Sequence, residues 1–319
     1  MNATIGERIS AAAKGTSASP LPQKKIAMDS ADSMQRLLRQ AAATETDDPD
    51  QAGALYAQLL RRYPGCLEAH NALERLGHAE RFSHWMRINC RIHPDDDIFA
   101  FIANSPGSTN PIRDYLADGW RTLSELMVLL ESLDRPLLKT ASMLEFACGF
   151  GRFTRHLAPL LPGRVSCADV LPGSVEFVRE QFGVHAFESA MNPAQVHFPD
   201  RYELVFVLSL FTHLPVASWR AWLQTLAEAV KPGGLLLLSF HNEQAAAEFG
   251  VSFDDSGIFF QASSESPTLN ARQYGTTLTT RKIIESEIAA ALETPIALYR
   301  ERAFWVGQDA VAIRIGDSV

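Results

Sequence analysis

The sequence predicts an α/β fold: a seven-stranded, mostly parallel sheet with helices on both faces, preceded by a small α-helical region. Three observations carry this. From Ser142 onward, short apolar runs of strand character alternate with stretches of helical period. The run Leu204–Leu208, inside YELVFVLSLF, is apolar without alternation, as a strand covered on both faces must be. The last two strand-like segments, Ile296–Trp305 and Ala310–Ile315, are close in sequence and predict an antiparallel hairpin at the sheet edge.

Composition bounds the class. With 319 residues, 46% hydrophobic and 21% charged, the chain has ample apolar material for one large domain or two smaller ones. The net charge of −8 disfavours a nucleic-acid partner, which ordinarily leaves a basic footprint. Cys66, Cys90, Cys148 and Cys167 show no metal-like spacing, and the pattern points to a reducing cytoplasm. No apolar run has the ~20 residues a membrane span requires, and no secretory signal is recognisable at the start.

Residues 1–28, rich in Ala, Ser, Lys and Pro without apolar period, read as a disordered tail. Helical spacing follows at Met34, Leu37 and Leu38 and again at Leu55, Tyr56, Leu59 and Leu60, with Pro49 suited to the first turn of the second helix. Within AGALYAQLLRRYPGCLEAHNALERLG, the residues Ala52, Tyr56, Leu59, Leu60 and Pro64 resemble part of a tetratricopeptide repeat. The resemblance covers about one and a half units, where independent arrays use about three. Residues 29–92 are therefore either a helical hairpin supporting the rest or a surface for a protein partner. HPDDD (93–97) is a linker and SPGSTNP (105–111) a loop. Tyr115–Leu133 is an amphipathic helix with Leu116, Leu123, Leu126, Met127 and Leu130 on one side.

In the alternating part, strands are expected at Ser142–Ala147, Val165–Asp169, Val184–Phe187, Leu204–Leu208 and Leu235–Phe240. Helices are expected at Arg152–Leu161, Gly173–Phe182, Trp219–Val230 and 280–292. Trp219 and Trp222 have helical spacing among apolar neighbours and read as core.

In an open α/β sheet the ligand lies beyond the carboxyl ends of the strands. The stretch LEFACGFGRF (144–153) is a strand running into a glycine turn. Gly149 and Gly151 let the backbone approach a ligand, and the following helix aims its free amides there. A dinucleotide fingerprint would want a small residue at position 154, which is threonine. Glu145 also argues against a pyrophosphate, because like charges repel at short range. It suits S-adenosyl-L-methionine, which carries an amino group and a sulfonium.

On these residues the chain resembles the class I S-adenosylmethionine-dependent methyltransferases. LEFACGFGRF resembles that family's acidic strand and glycine loop, VSCADV its second strand, YELVFVLSLFTHLP its fourth, and VKPGGLLLLSFH its turn and fifth. The four stand in family order within residues 98–319. The resemblance implies that Glu145, Ala147, Gly149, Gly151 and Arg152 adjoin the cofactor, and that Asp169, with Val170 beside it, holds the ribose hydroxyls. It further implies an adenine loop containing Ser189 and Met191, and a meeting point of methyl donor and acceptor at Ser209. Tyr115 opens a helix that would cover the cofactor; its alternative is an aromatic used in helix packing. Arg152 has a solvent-facing helix start as its alternative. Two departures stand out: Ala147 replaces the usual glycine, and the adenine loop lacks an acidic side chain. Alanine fits if its φ stays negative and is crowded if φ is positive. YGTT (274–277) and QDAVAI (308–313) resemble methyltransferases encoded with glycan and natural-product assembly enzymes.

His213, within FTHL, and His241, ending the fifth strand, are the candidate bases; each has a structural histidine as its alternative. A hydroxyl acceptor benefits from a base, an amine needs a route for its proton, and a carboxylate needs neither. The long stretch 243–279, with Phe249, Phe253, Phe259 and Phe260, reads as an acceptor-side insertion or lid. The expected function is methyl transfer to a small-molecule or glycan acceptor. Two other readings stand beside it. One is a non-catalytic scaffold using the N-terminal helices as a docking surface, favoured by Ala147 and the missing adenine acid. The other is a nicotinamide-dependent reductase, which leaves Glu145 unexplained. No H-E-x-x-H, G-x-S-x-G or Walker loop is present, and no metal site is expected.

Overall fold

In the computed structural model, which describes residues 24–77 and 88–316, the chain divides into two compact units between Leu116 and Ala117. The tail expected over 1–28 falls outside the described residues as far as residue 23, and from Lys24 the chain is already helical.

The first unit contains the helices Lys24–Thr44, Pro49–Arg62, Leu67–Arg75 and Asp97–Ala103. Asp48 starts the second of these, its carboxylate accepting from Gln51 N at 2.9 Å while Pro49 fills the first turn. Ala41, Ala52, Tyr56, Leu59, Cys66, Ala69, Ala72 and Leu73 form the core, so the positions that resemble a tetratricopeptide repeat are partly spent on packing inside the unit. An extended segment also lies against the helix Leu67–Arg75. The Asn71 amide donates to Ile92 O at 2.8 Å and its oxygen accepts from Ile92 N at 3.1 Å.

Residues 98–116 belong with this unit, whereas the sequence resemblance placed the α/β domain from 98. The reason is a local polar knot. Asp96 accepts from Phe99 N at 2.8 Å and from the Tyr115 hydroxyl at 2.6 Å, and the Phe99 and Tyr115 rings meet edge to face at 5.8 Å.

In chain order the strands of the second unit are β1 Met143–Phe146, β2 Val165–Asp169, β3 His185–Glu188, β4 Tyr202–Val207, β5 Val230–Phe240, β6 Ile258–Gln261, β7 Thr276–Thr279, β8 Ile296–Phe304 and β9 Gln308–Ile315. Seven of them form one sheet of order β3-β2-β1-β4-β5-β9-β8, and β6 and β7 form a separate pair. Strands β1 to β5 run parallel, and β9 and β8 complete the sheet antiparallel. The fold expected from the sequence is therefore the fold observed. The central strands send alternate residues to two separate cores. Met143, Leu204, Phe206, Leu235 and Leu237 pack with Leu123, Leu126, Leu130, Phe153, Leu157 and Val178. Leu144, Phe146, Val205, Val207, Leu236 and Leu238 pack with Trp219, Trp222, Leu226, Ile284 and Ile288 on the other face.

Several element boundaries differ from expectation for identifiable reasons. The helix expected over Arg152–Leu161 is α-helical only at Thr154–Leu157. Tighter bonds of the i to i−3 type, His156 N to Phe153 O and Leu160 N to Leu157 O, both 3.0 Å, turn the chain on either side. Strand β5 begins at Val230 rather than Leu235 and runs through Pro232, which the register shift opposite Tyr202 and Leu204 accommodates. Residues 243–279 hold a helix, Glu243–Phe249, and an antiparallel hairpin of β6 Ile258–Gln261 and β7 Thr276–Thr279. The hairpin is anchored on the carboxyl side of β4 and β5 through Gly275 N to His213 O (2.9 Å), Thr277 N to Thr212 O (2.7 Å) and Thr279 N to His241 O (3.0 Å). Among the described residues no helix is long and apolar enough to cross a membrane.

The helix Pro111–Glu131 approaches the glycine loop through Gly119. A Cβ there would lie 2.2 Å from Arg152 O and 2.7 Å from the His156 ring. Gly119→Ala is expected to destabilise the protein by about 1–3 kcal/mol as the helix is forced away, read as a lowered midpoint in denaturant unfolding; an unchanged midpoint would show that this approach is not close.

Candidate functional site

Strand β1 ends in the loop Ala147–Phe153, which is folded against the end of β2. Ala147 N and Cys148 N donate to Ala168 O at 2.8 and 3.2 Å, and Gly149 N donates to Asp169 Oδ2 at 2.6 Å. Asp169 Oδ1 accepts from Val170 N at 2.7 Å and Leu171 N at 2.8 Å. Asp169 thus ties together the two loops that follow β1 and β2. Glu145 is buried on the same sheet edge and accepts from the Thr154 hydroxyl at 2.7 Å. Burial pushes its carboxyl up to about 8, the nearby Asp169 charge adds to this, and the Thr154 bond acts against it.

Turn conformation at three positions gives this loop its shape. Gly149 and Gly151 have φ of 54° and 77°, and Ala147 has φ of 61°. The negative φ that would have suited alanine is not adopted. The left-handed region places its methyl close to the backbone, at a cost of about 1–2 kcal/mol. Arg155, buried, returns from the short helix to donate through Nε to Gly151 O at 3.0 Å, and its guanidinium lies 5.0 Å from the Phe182 ring. Arg152 pairs with Asp118 and lies 5.2 Å from the Trp305 ring centroid.

Both arginines of the loop are thus committed to partners within the protein, and the Gly149 amide is taken by a carboxylate. A phosphate placed here would meet Glu145 and Asp169 with its natural donors occupied. A ligand carrying a positive group and sugar hydroxyls matches the same donor set.

Other candidates take varied places. Ser189 N donates to Asp169 O at 2.8 Å, which puts the start of the loop after β3 beside Asp169. Met191 is half-buried, and Asn192 is used to cap the turn Pro193–Gln195. Ser209, just past β4, has φ of 65° and is pinned by Ser209 N to Ser239 Oγ at 2.7 Å and Gln308 Nε2 to Ser209 Oγ at 2.8 Å. Tyr115 is fully buried in the first unit with its hydroxyl given to Asp96, the arrangement of a packing aromatic.

The two histidines have different surroundings. His213 is held by the insertion, with Nδ1 2.7 Å from Gly275 O, Nε2 3.3 Å from Glu265 Oε1, and its ring stacked on Tyr274 at 4.4 Å. His241 is buried with Nδ1 lacking a hydrogen-bond partner. Burial, aided by the neighbouring His213, pushes it down to about 3, so it is a neutral ring at physiological pH. The Cys148 thiol is raised well above its ordinary range by its hydrogen bond with Cys167 and by burial, leaving it unreactive. Among the described residues no cluster fit for a metal ion occurs.

Sequence reasoning passed over Thr154, Arg155, Asp118, Gln308 and Glu265. Thr154 registered only as a failed glycine, although a hydroxyl nine residues after a buried acid is a usable signal. Gln308 lies 99 positions from Ser209, and no local pattern announces that contact.

Residues 143–234 match the family model of a methyltransferase domain. No curated protein matches the chain by sequence. Among solved structures, an S-adenosylmethionine-dependent methyltransferase from Clostridium acetobutylicum shares 12% identity at a TM-score of 0.48, covering 64% of this chain and 96% of its own. DesVI of Streptomyces venezuelae shares 14% at 0.46, covering 69% and 97%. CalS10 of Micromonospora echinaspora, an amino pentose methyltransferase, shares 19% at 0.41, covering 63% and 90%. Nothing about activity follows from likenesses of this size.

Ala147→Gly should relieve the strained turn and stabilise the protein by about 1 kcal/mol, less the added chain entropy of glycine in the unfolded state. The check is a higher denaturant midpoint at unchanged slope; a lower midpoint would mean that the alanine methyl contributes more by packing than its φ costs.

Proposed function

We propose that this chain is a class I S-adenosylmethionine-dependent methyltransferase that methylates a small-molecule or glycan acceptor on oxygen or nitrogen; the match of residues 143–234 to a methyltransferase-domain model supports the reading. The observation that carries the reading is the pair of buried carboxylates, Glu145 and Asp169, around a glycine loop whose arginines are paired within the protein. Glu145 faces the positive end of the cofactor, and Asp169 and Val170 adjoin the ribose. Gly149 and Gly151 allow close approach, Ala147 and Arg152 shape the rim, and Ser189 and Met191 border adenine. S-adenosylmethionine supplies the activated methyl group.

The chain's own contribution is orientation, exclusion of water and management of one proton. Ser209, locked by Ser239 and Gln308, forms a rigid wall at the end of β4. His241, neutral and buried, is suited to hydrogen bonding and poorly suited to holding a proton, since a base near 3 gives it up at once. His213 is paired with Glu265 of the insertion, and the acceptor's proton is assigned to that pair. The positive φ of Ala147 favours a second reading, a non-catalytic module with weak cofactor binding. Transfer of labelled methyl from S-adenosylmethionine into a metabolite extract separates the two: a labelled product supports the enzyme, and its absence at saturating cofactor supports the module.

The Glu145 carboxyl gives a pH signature. Titrating at about 8 in the unliganded protein, it is mostly protonated at pH 7 and must ionise to meet a positive ligand. Cofactor affinity is expected to rise by up to tenfold from pH 6 to pH 7, with close to one proton released on binding, seen by calorimetry in buffers of different ionisation enthalpy. Glu145→Gln should bind more weakly and abolish the proton release; release that persists in the variant would assign it elsewhere.

A further inference from the structure

The insertion sets a carboxylate beside His213. Glu265 lies in the loop between β6 and β7, its side chain 14% exposed, with Oε1 3.3 Å from His213 Nε2. The other nitrogen of that ring, Nδ1, is 2.7 Å from Gly275 O. A carbonyl only accepts, so Nδ1 carries the hydrogen. A neutral ring would then set the Nε2 lone pair against a carboxylate oxygen, so a proton sits between His213 and Glu265.

The surrounding geometry holds this pair in place. Gly275 N bonds back to His213 O at 2.9 Å, and the Tyr274 ring stacks on the imidazole. A Cβ at Gly275 would lie 2.3 Å from Gln261 O, so the loop can reach His213 only with glycine there. Thr212, next to His213, donates through Oγ1 to Ser209 O at 2.6 Å, which joins the pair to the strained end of β4.

We propose that Glu265 recognises the methyl acceptor and that the acceptor is a protonated amine. This rests on the methyl-transfer reading above and names its substrate class. The His213–Glu265 pair keeps a carboxylate oxygen on the acceptor side, where it attracts an ammonium group and repels a carboxylate acceptor. A neutral hydroxyl has no need of a fixed negative partner, and His241 alone would serve it as a hydrogen-bond acceptor. The proton balance also fits. The ammonium gives one proton to Glu265, and the nitrogen lone pair so freed forms the new bond to the methyl carbon. The carbon–sulfur bond breaks with its electron pair going to sulfur. The proton passes from Glu265 to water.

The test uses the full chain, labelled S-adenosylmethionine and a metabolite extract in two forms, one untreated and one N-acetylated in water so that amines are blocked and hydroxyls remain. Label transfer is expected from the untreated extract and should drop at least tenfold after N-acetylation. Glu265→Gln retains an oxygen for His213 and removes only the charge. It should lose at least tenfold in transfer at limiting extract while binding S-adenosylhomocysteine within twofold of the parent, which also reports that it folds. Transfer that survives N-acetylation, or full transfer by Glu265→Gln, overturns the proposal. Failure of the parent protein to bind S-adenosylhomocysteine would instead remove the methyl-transfer reading itself, and the amine assignment with it.

Discussion

Glu145 stands near the carboxyl end of a central strand, buried, with the Thr154 hydroxyl donating to it. A buried carboxyl is tolerated when it is hydrogen-bonded or neutral, and this one is both. Much of the site follows from that burial. The chain must turn at Ala147 to bring Thr154 back over Glu145, and the turn is closed by Asp169 accepting the Gly149 amide. Arg155 then spends its charge on the carbonyls of the same loop.

Backbone strain gathers where two neighbouring strands end. Phe146 of β1 and Val207 of β4 are register partners, and the positive-φ residues Ala147 and Ser209 follow them within two positions. Strain of this kind persists only where surrounding bonds over-determine it. Ser209 has those bonds in Ser239 and Gln308, and Ala147 has them in the two amides given to Ala168 O. The ends of these two strands are thus held rigidly at the switch point of the sheet.

The insertion acts on that edge from outside. Its hairpin does not extend the main sheet; the amides of Gly275, Thr277 and Thr279 bond carbonyls of the segments that follow β4 and β5. In doing so it gives the two histidines different neighbours, holding His213 against a carboxylate while His241 lies buried edge to face with Phe249.

The sequence by itself determined the sheet, its strand types, the acidic strand ends and the glycine loop, because these depend on periodicity and on residues near one another in the chain. Leu204–Leu208 reads as a doubly buried strand, and Glu145 and Gly149 read as a loop for a positive ligand. Tertiary structure alone decided the sign of φ at Ala147, which the contact of β1 with Ala168 imposes. It also decided that Tyr115 serves packing in the first unit, through Asp96. It brought Gln308 to Ser209 and Glu265 to His213, pairs separated by long stretches of chain. Local pattern records which residues can form an element and which face they bury. It carries no information about which distant side chain fills the space beside a given group, and that space sets charge, tautomer and strain at the site.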